Sequence, residues 1–590
     1  MANVLELKNL KNKVSRNGFD LSERRSFTAK VGELLPCFVQ ETLPGDHFNI
    51  NPSHFTRTMP VNTAAYTQLR EYVHFYFVPY RLLHSQSDAF FADNKDNPSR
   101  AASISSATEV SPFLPYLTVK MIFERLKKYG TDDFKDVAGM SAADTSCKLL
   151  QYLGYGDFSD YGRSDISFSS ETNMRVNPFA LLAYQKIYQD YFRNQSWEKT
   201  SPHTCNIDYL PFGSEIPLST AVLRSGEPVN EMLTMRYCNF NKDYFFGVLP
   251  EAQYGDYVVA PSAVNQRDFF LSLHDTLNGN VANEFTSDVA IKYGAAIAKY
   301  LPGPSVLALR KAEALQKYRE IRNSGDKDYK TYLDKIFNVG VSDDRSDICR
   351  YLGGYNADVN ISEVVNTNLS TQESQASISG KGMSSGGTGT LSFDAREHGL
   401  IIGIYTCRPT VDYSLTAPSK MNLRLQFDDF ANPVFDRVGM ETVHMDEIMM
   451  PYKAVFYKGL KPSRTRLPVG YVPRYASYKT SYDKILGAFR GTLSSWVSPV
   501  TSDSIFNRMV GVANNSSDIP DNNPTHPGSG NLITAGRLNL TYENFKVTPD
   551  VVDSIFVNRS TSSIETDQLL VNMSIGCPVV RNLDYDGLPY

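Results

Sequence analysis

At 590 residues, with 42% apolar and 21% charged, the chain is ordinary for a globular protein and long enough to bury a sizeable core. A net charge of −5 excludes a free-standing nucleic-acid binder that is basic throughout, so any such contact must come from a local patch. Cys37, Cys147, Cys205, Cys238, Cys349, Cys407 and Cys577 are scattered singly, which excludes a cysteine metal site and predicts reduced, mostly buried thiols in a cytosolic setting.

The opening stretch has no apolar run of the secretory kind, and the longest apolar run, Gly399 to Tyr405, is far too short to span a bilayer. The expectation is a soluble protein made inside a cell and not exported by a cleaved signal. Lys8, Lys11, Lys13, Arg16, Arg24, Arg25 and Lys30 outnumber Glu6, Asp20 and Glu23, so residues 1–30 read as a basic, initially unstructured arm. Such an arm can bind nucleic acid, tie one subunit to the next, or simply fray.

Further along, "YVHFYFVPYRLL" holds a strand over Tyr72–Pro79, stopped by its proline. Asn177 to Trp197 reads as a helix, with Asn177 as N-cap, Pro178 at the first helical position and apolar residues at three- and four-residue steps. "DYFFGVL", Asp243–Leu249, is a strand candidate, and Pro304 to Gly325 is a second helix with Gly325 as its stop. The Ser/Gly-rich stretch Ser370–Thr390 reads as a flexible loop or surface hairpin, as does the polar stretch Val512–Asn531. The remaining strand candidates are Leu400–Cys407, Asn422–Phe427, Ala454–Tyr457, Asp567–Met573 and Cys577–Arg581. Strands so far apart must pair non-locally. That suits an all-β Greek-key or jelly-roll sandwich with decorated loops better than alternating βαβ units.

Catalytic signatures fail on inspection. "SGKGMSSGGTGT" has a glycine after Lys381 where a phosphate loop needs Ser or Thr to meet a magnesium ion. The nine histidines are dispersed; His47, His54 and His74 have no ligand partners in register and read as satisfied structural residues. Asp428 and Asp429 point to opposite faces if extended, and no nucleophile–base grouping carries a local signature. The chain is therefore expected to be no enzyme, with no catalytic residues, no metal site and no cofactor.

One constellation rises above this background. Between Tyr452 and Arg490 the basic residues are Lys453, Lys458, Lys461, Arg464, Arg466, Arg474, Lys479, Lys484 and Arg490, against Asp483 alone. Tyr471, Tyr475, Tyr478, Tyr482 and Phe489 are interleaved with them. Cations neutralise phosphates and aromatic faces stack on unpaired bases, which suits non-specific binding of a single strand. The site expected for DNA is Lys453, Lys458, Lys461, Arg464, Arg466, Arg474, Tyr475, Tyr478, Lys479, Lys484 and Arg490. A basic surface that pairs with acidic patches on a neighbouring subunit would leave the same pattern.

The sequence also resembles the major capsid protein of the Microviridae, small single-stranded DNA phages, and in particular the gokushovirus-like branch. The resemblance runs through ordered blocks: Asn17 to Ile50 with its turn at Leu43–Asp46, "FYFVPYRLL", "NPFALLAYQKIYQDYFRNQ", Asp243 to Asp256, Leu309 to Arg345, "YLGG" with "ISEVVNT", Phe430 to Ile448, Gly470 to Gly491, and Val579 to Tyr590. It implies an eight-stranded antiparallel jelly roll over residues 31–590, with insertions at about 84–235 and 253–301 and the flexible loop at 370–390. It implies about sixty copies in a small T=1-like icosahedral shell around circular single-stranded DNA, assembled in the cytoplasm of a bacterial host. Phe90 to Val176, Pro202–Met232 and Gln253–Leu301 match no block; in the family one such insertion projects near the three-fold axes. A near-neutral shell protein cannot balance a genome, so a small basic DNA-binding protein, polyamines or metal ions are expected to supply charge. Scaffolding proteins, spike or pilot proteins, and a host surface receptor met by a surface insertion complete the expected partners; no membrane insertion is expected. The reading from another class is a glycan-binding jelly-roll lectin or adhesin, which would need an exposed aromatic platform and export.

Overall fold

The computed structural model describes residues 15–61, 65–92, 113–163, 165–169, 172–199, 202–218, 232–253, 306–323, 329–340, 346–365, 378–437, 439–458, 467–512, 537–552, 555–556 and 567–585. Its centre is an antiparallel sheet of 11 strands. In chain order these are β1 (Asn17–Asp20), β2 (Glu23–Ala29), β3 (Leu35–Thr42), β4 (His47–Thr58), β5 (Leu69–Pro79), β6 (Arg350–Val365), β7 (Ile378–Gly387), β8 (Leu391–Asp394), β9 (Gly399–Pro409), β10 (Leu569–Gly576) and β11 (Pro578–Arg581). They lie in the order β1-β11-β4-β7-β6-β5-β9-β3, with β8 beside β4 and β10 between β2 and β4.

The sheet curls because two long strands change neighbours along their length. The first residues of β4 pair with β8 and β11, and its later residues pair with β10 and β7. Likewise β6 pairs with β5 up to Val359 and with β7 from Asn360 onward. The alternation in "HFNINPSHFTRT" turns Phe48, Ile50, His54, Thr56 and Thr58 to the inside of the curl and Phe55 and Arg57 to the outside. In β9 nearly every residue is buried, because its outer face is covered as well, by the helix α3 (Phe179–Ile187). That is why "GLIIGIYTCRP" opens on the apolar run Gly399 to Tyr405 while β4 alternates. Gly403 sits where β3 and β5 close on β9: a Cβ there would come within 2.9 Å of the Phe75 ring and 3.1 Å of Cys37 Sγ.

No strand of this sheet lies between Pro79 and Arg350 among the described residues. That excursion carries the helices α1 (Val119–Thr131), α2 (Ala142–Tyr152), α3 and α4 (Val306–Asn323). Asn177 opens α3 as expected, its side chain accepting from the Phe179 N–H at 2.9 Å. Buried ionic groups pin the excursion to the strands. Lys148 of α2 reaches Glu33 at 2.7 Å and Asp567 at 2.9 Å. Glu198 meets Lys546 at 3.2 Å, and Lys546 also donates to the Tyr188 hydroxyl at 2.6 Å. The turn at Leu43–Asp46 does similar work. Gly45 takes φ 95°, open to glycine at little cost, and the buried Asp46 accepts from Leu43 N–H and from Arg581 of β11, each at 2.9 Å.

Several expectations from sequence are corrected. Asp243–Leu249 is not a strand: the Asp243 carboxylate accepts from Phe245 and Phe246 N–H and folds the segment into a turn that buries both rings. Asn422–Phe427 is exposed chain around a short 3-10 turn, Lys420–Leu423. Ala454–Tyr457 lies in a helix, Pro451–Lys458, with proline at its first position. The basic arm of residues 1–30 is not unstructured over Asn17–Ala29, which forms β1 and β2. Ile378–Gly387 within the supposed flexible loop of 370–390 is β7, the second limb of a hairpin with β6, as the hairpin alternative allows. The loop at Val512–Asn531 lies, beyond Val512, outside the described residues. The seven cysteines are free thiols, and all but Cys147 are buried.

Inside the curl sits one buried charged cluster. His54 Nε2 meets Glu71 at 2.9 Å and His54 Nδ1 meets the Tyr355 hydroxyl at 2.8 Å, while Tyr405 donates to the other Glu71 oxygen. Gly386 makes room, since a Cβ would lie 2.8 Å from the imidazole. Burial pushes the Glu71 carboxyl up, but the hydrogen bonds and charge of His54, with Thr56 and Tyr405, outweigh it and leave the pKa lowered. The stability tied to that lowering is present above the ordinary carboxylate range and lost as pH falls through the folded value. Glu71→Ala is expected to cost about 3–5 kcal/mol in urea unfolding at neutral pH. Glu71→Gln should flatten the acid limb of the stability profile; an unchanged acid limb would refute this assignment.

Candidate nucleic-acid interface

The basic stretch of Tyr452–Arg490 begins in the helix Pro451–Lys458 and resumes as a strand, Pro468–Pro473, paired with Met440–His444. A single helical turn, Ala476–Lys479, follows it, and a 3-10 turn, Gly487–Arg490, closes it. Between strand and turn stands Tyr475, with φ 60°, a left-handed conformation uncommon for a side-chain-bearing residue. This sharp reversal buries Tyr475 and leaves Tyr478 nearly half exposed.

The predicted residues therefore divide. Tyr475 is corrected: it is buried edge-on against Tyr478, with ring centroids 6.3 Å apart, and is not open to stack on a base. Its neighbour Arg474 lies 5.0 Å from the Tyr475 ring. Tyr478 presents its ring, and Arg424 covers one side of it at 3.6 Å while donating to Ser477 Oγ at 2.8 Å. Lys479 is exposed and pairs with Asp436 at 2.5 Å; an exposed pair of this kind contributes at most about 1 kcal/mol. Lys484 lies 4.8 Å from the Tyr482 ring, and Arg490 donates to Ser414 Oγ at 3.2 Å and to the Leu415 carbonyl at 2.7 Å. Lys453 is half-buried in the helix. Lys461, Arg464 and Arg466 lie outside the described residues, as does the side chain of Lys458.

Arg424 is the residue that sequence reasoning missed. It stands in "NLRLQF", read as a strand, and is brought to Tyr478 only by tertiary structure. Leu425 and Phe427 of the same segment, and Val434 shortly after it, are exposed apolar groups. Asp429 turns back to accept from Leu425 and Gln426 N–H, both at 2.9 Å, so this carboxylate serves local structure.

Nothing here assembles a reacting centre. His47 pairs with Asp394 at 2.6 Å, and its hydrogen bond, the largest influence, holds the Asp394 carboxyl below the usual range. His74 meets the Tyr351 hydroxyl at 2.9 Å, and burial, aided by Arg408, takes its pKa down to about 4, so it stays neutral. Among the described residues no group of three or more His, Cys, Asp or Glu side chains could hold a metal ion. No helix among them is long and apolar enough to cross a membrane.

Tyr478→Ala is expected to weaken oligo(dT) binding roughly tenfold with little change in melting temperature. Tyr475→Ala should do the reverse, costing about 3 kcal/mol of stability for a large buried ring. Fluorescence anisotropy and urea unfolding on the same preparations separate the two.

The profile of the family described as "Capsid protein (F protein)" matches this sequence over residues 9–124 and 166–498. The chain is also similar to "Capsid protein VP1" of Chlamydia phage 1, 23% identical over 530 residues that cover 82% of this chain and 86% of the relative. With "Capsid protein VP1" of Bdellovibrio phage phiMH2K it is 24% identical over 514 residues, covering 81% and 83%.

Proposed function

This chain belongs to the capsid protein (F protein) family of small phages and is a structural shell protein, not an enzyme, and from that premise we propose that it folds as a viral-type eight-stranded jelly roll and closes with about sixty copies of itself around single-stranded DNA. The match over 9–124 and 166–498 carries this reading. The curled antiparallel sheet, with a long excursion on one side, supports it as the wall element of such a shell. Family membership sets the lectin reading aside.

The basic segment 453–490 contacts the genome from the inner surface in this proposal. What supports it is the concentration of cations in an otherwise acidic chain, with Tyr478 and Arg424 stacked beside exposed Lys479. A small basic protein supplies further charge, scaffolding and spike or pilot proteins assist assembly in the host cytoplasm, and a surface insertion meets the receptor. The stretch between the two matched segments, residues 125–165, contains α2 and most of α1 and is a candidate for that insertion.

Expression of the chain alone, viewed by negative stain and sedimentation, should give regular shells or pentamers and trimers of defined size. A persistent monomer under assembly conditions that include the scaffolding proteins would count against it. In virions, changing Lys461, Arg464, Arg466 and Arg474 together to Glu should leave shells that assemble but hold little DNA. Normal genome content would remove this segment from the inner face.

A further inference from the structure

The outer face of the sheet differs sharply between its two halves. Over β9 and β5 it is covered by α3, and the aromatic residues Tyr191 and Phe192 that follow α3 pack on Tyr76. Over β2, β10, β4 and β7 most of the alternate residues that point outward are exposed, and the others, Asn572 among them, are half-buried. Cross-strand register sets these in rows: Thr28, Leu570, Arg57 and Met383 in one, and Ser26, Asn572, Phe55 and Ser385 in the next. Arg24 on β2 follows in a third row with Ser574, Ser53 and Gly387, whereas Lys381 on β7 lies at the other end, beyond Met383.

Outward positions on these four strands carry Arg24, Arg57 and Lys381 and neither Asp nor Glu, in a chain with net charge −5. The other polar side chains are hydroxyls and amides. Carboxylates on or beside these strands are committed: Glu23 of β2 pairs with Arg25 at 2.8 Å, Asp358 on the adjoining β6 pairs with Arg70 at 2.5 Å, and Asp567 before β10 accepts from Lys148 and Thr28. Phe55 is 40% exposed, with the Arg57 guanidinium 5.2 Å from its ring. An open groove of about 500 Å³ runs along Ser26, Phe55, Arg57, Leu570 and Asn572. It adjoins a second of about 600 Å³ lined by Arg24, Arg25 and Tyr152, and both share Ser26–Thr28.

We propose that this bare face is a second binding surface for single-stranded nucleic acid, in which Arg24 and Arg57 neutralise phosphates and Phe55 stacks on an unpaired base. Four strands at about 4.8 Å spacing give a platform about 15 Å wide, and exposed aromatic side chains on such a platform are a recurrent way to hold splayed bases. A second copy of the chain is the weaker occupant. Within their rows the apolar groups Leu570 and Met383 are separated by Arg57, and Phe55 stands between Asn572 and Ser385, whereas protein interfaces deplete charge at their core. The assignment rests on the reading of the chain as a shell around single-stranded DNA.

The test uses the purified full-length chain and fluorescein-labelled oligo(dT), read by anisotropy over a salt series, with sedimentation in parallel. Arg24→Ser combined with Arg57→Ser should weaken binding and reduce the salt slope by about 1.4, at roughly 0.7 per phosphate contact. Phe55→Ser should weaken binding roughly tenfold at every salt concentration with the slope unchanged. All three side chains are exposed, so unchanged unfolding curves are expected and serve as the control. If both sheet variants bind as wild type while the fourfold Glu variant of 461–474 loses affinity, this proposal fails and the segment 453–490 stands. If the sheet variants lose affinity and the fourfold variant does not, the sheet stands and the segment falls. Absence of oligo(dT) binding by the wild type overturns both. Loss of self-association in the arginine variant, with oligo(dT) affinity intact, makes the face a subunit contact and overturns the nucleic-acid assignment.

Discussion

The pairing of β5 with β9 is the constraint on which the remaining architecture rests. Residues 69–79 are in unbroken antiparallel register with residues 399–409, although more than three hundred residues separate them. Closing a loop of that length costs about 5 kcal/mol on the logarithmic scaling of chain entropy. Each fully buried aliphatic or aromatic side chain offsets about 1.5–3 kcal/mol. Val73, Phe75, Ile401, Ile402, Ile404 and Tyr405 are all buried at this seam, so two or three of them cover the closure and the rest stabilise the sheet. Because closure entropy grows so slowly with length, the excursion between the two strands can vary in size at little thermodynamic expense. The unmatched stretch 125–165 within it is consistent with that freedom.

Freedom of size does not mean freedom of placement. The excursion is held to the sheet by buried charge: Lys148 between Glu33 and Asp567, and Lys546 beside Glu198 and Tyr188. A buried ion pair adds little net stability over an apolar pair, but removing one partner strands the other in a medium that cannot solvate it. Such contacts penalise any alternative docking of the helices. The His54–Glu71 cluster acts likewise within the curl, where a slip of β4 by one residue would replace His54 with Ser53 or Phe55 opposite Glu71.

Much of this was legible in the sequence where local pattern and tertiary burial agree. Tyr72–Pro79 and Leu400–Cys407 are apolar on both faces and fall within β5 and β9; Asn177, Pro178 and the spacing that follows mark α3. Legibility fails where composition and geometry part. "DYFFGVL" has a strand's composition but an aspartate placed to close a turn. "AVFY" is too short for helical and extended periods to be told apart, and only Pro451 favours the helix. In "ISGKGMSSGG" the glycines that suggest a loop instead admit close neighbours: a Cβ on Gly382 would meet Thr58 at 2.5 Å. Of the candidate interface, the charge was readable and the geometry was not. Tyr475 and Tyr478 look equivalent in sequence, and a single left-handed residue sends one inward and the other out. The Arg24, Arg57 and Phe55 platform was hidden because its members come from strands whose adjacency no local pattern reveals.

The sheet also ties residues near 20 to residues near 580: β1 lies against β11, and β2 is joined to the sheet only through β10 among the described residues. On the ribosome, then, β1 and β2 must wait for β11 and β10 before they can dock, and β4 holds an open edge while some five hundred residues are translated. A chain stalled or cut short before residue 569 leaves β2 without its partner and that edge unfilled. The strands near residue 20 and those near residue 570 therefore enter the sheet together or not at all.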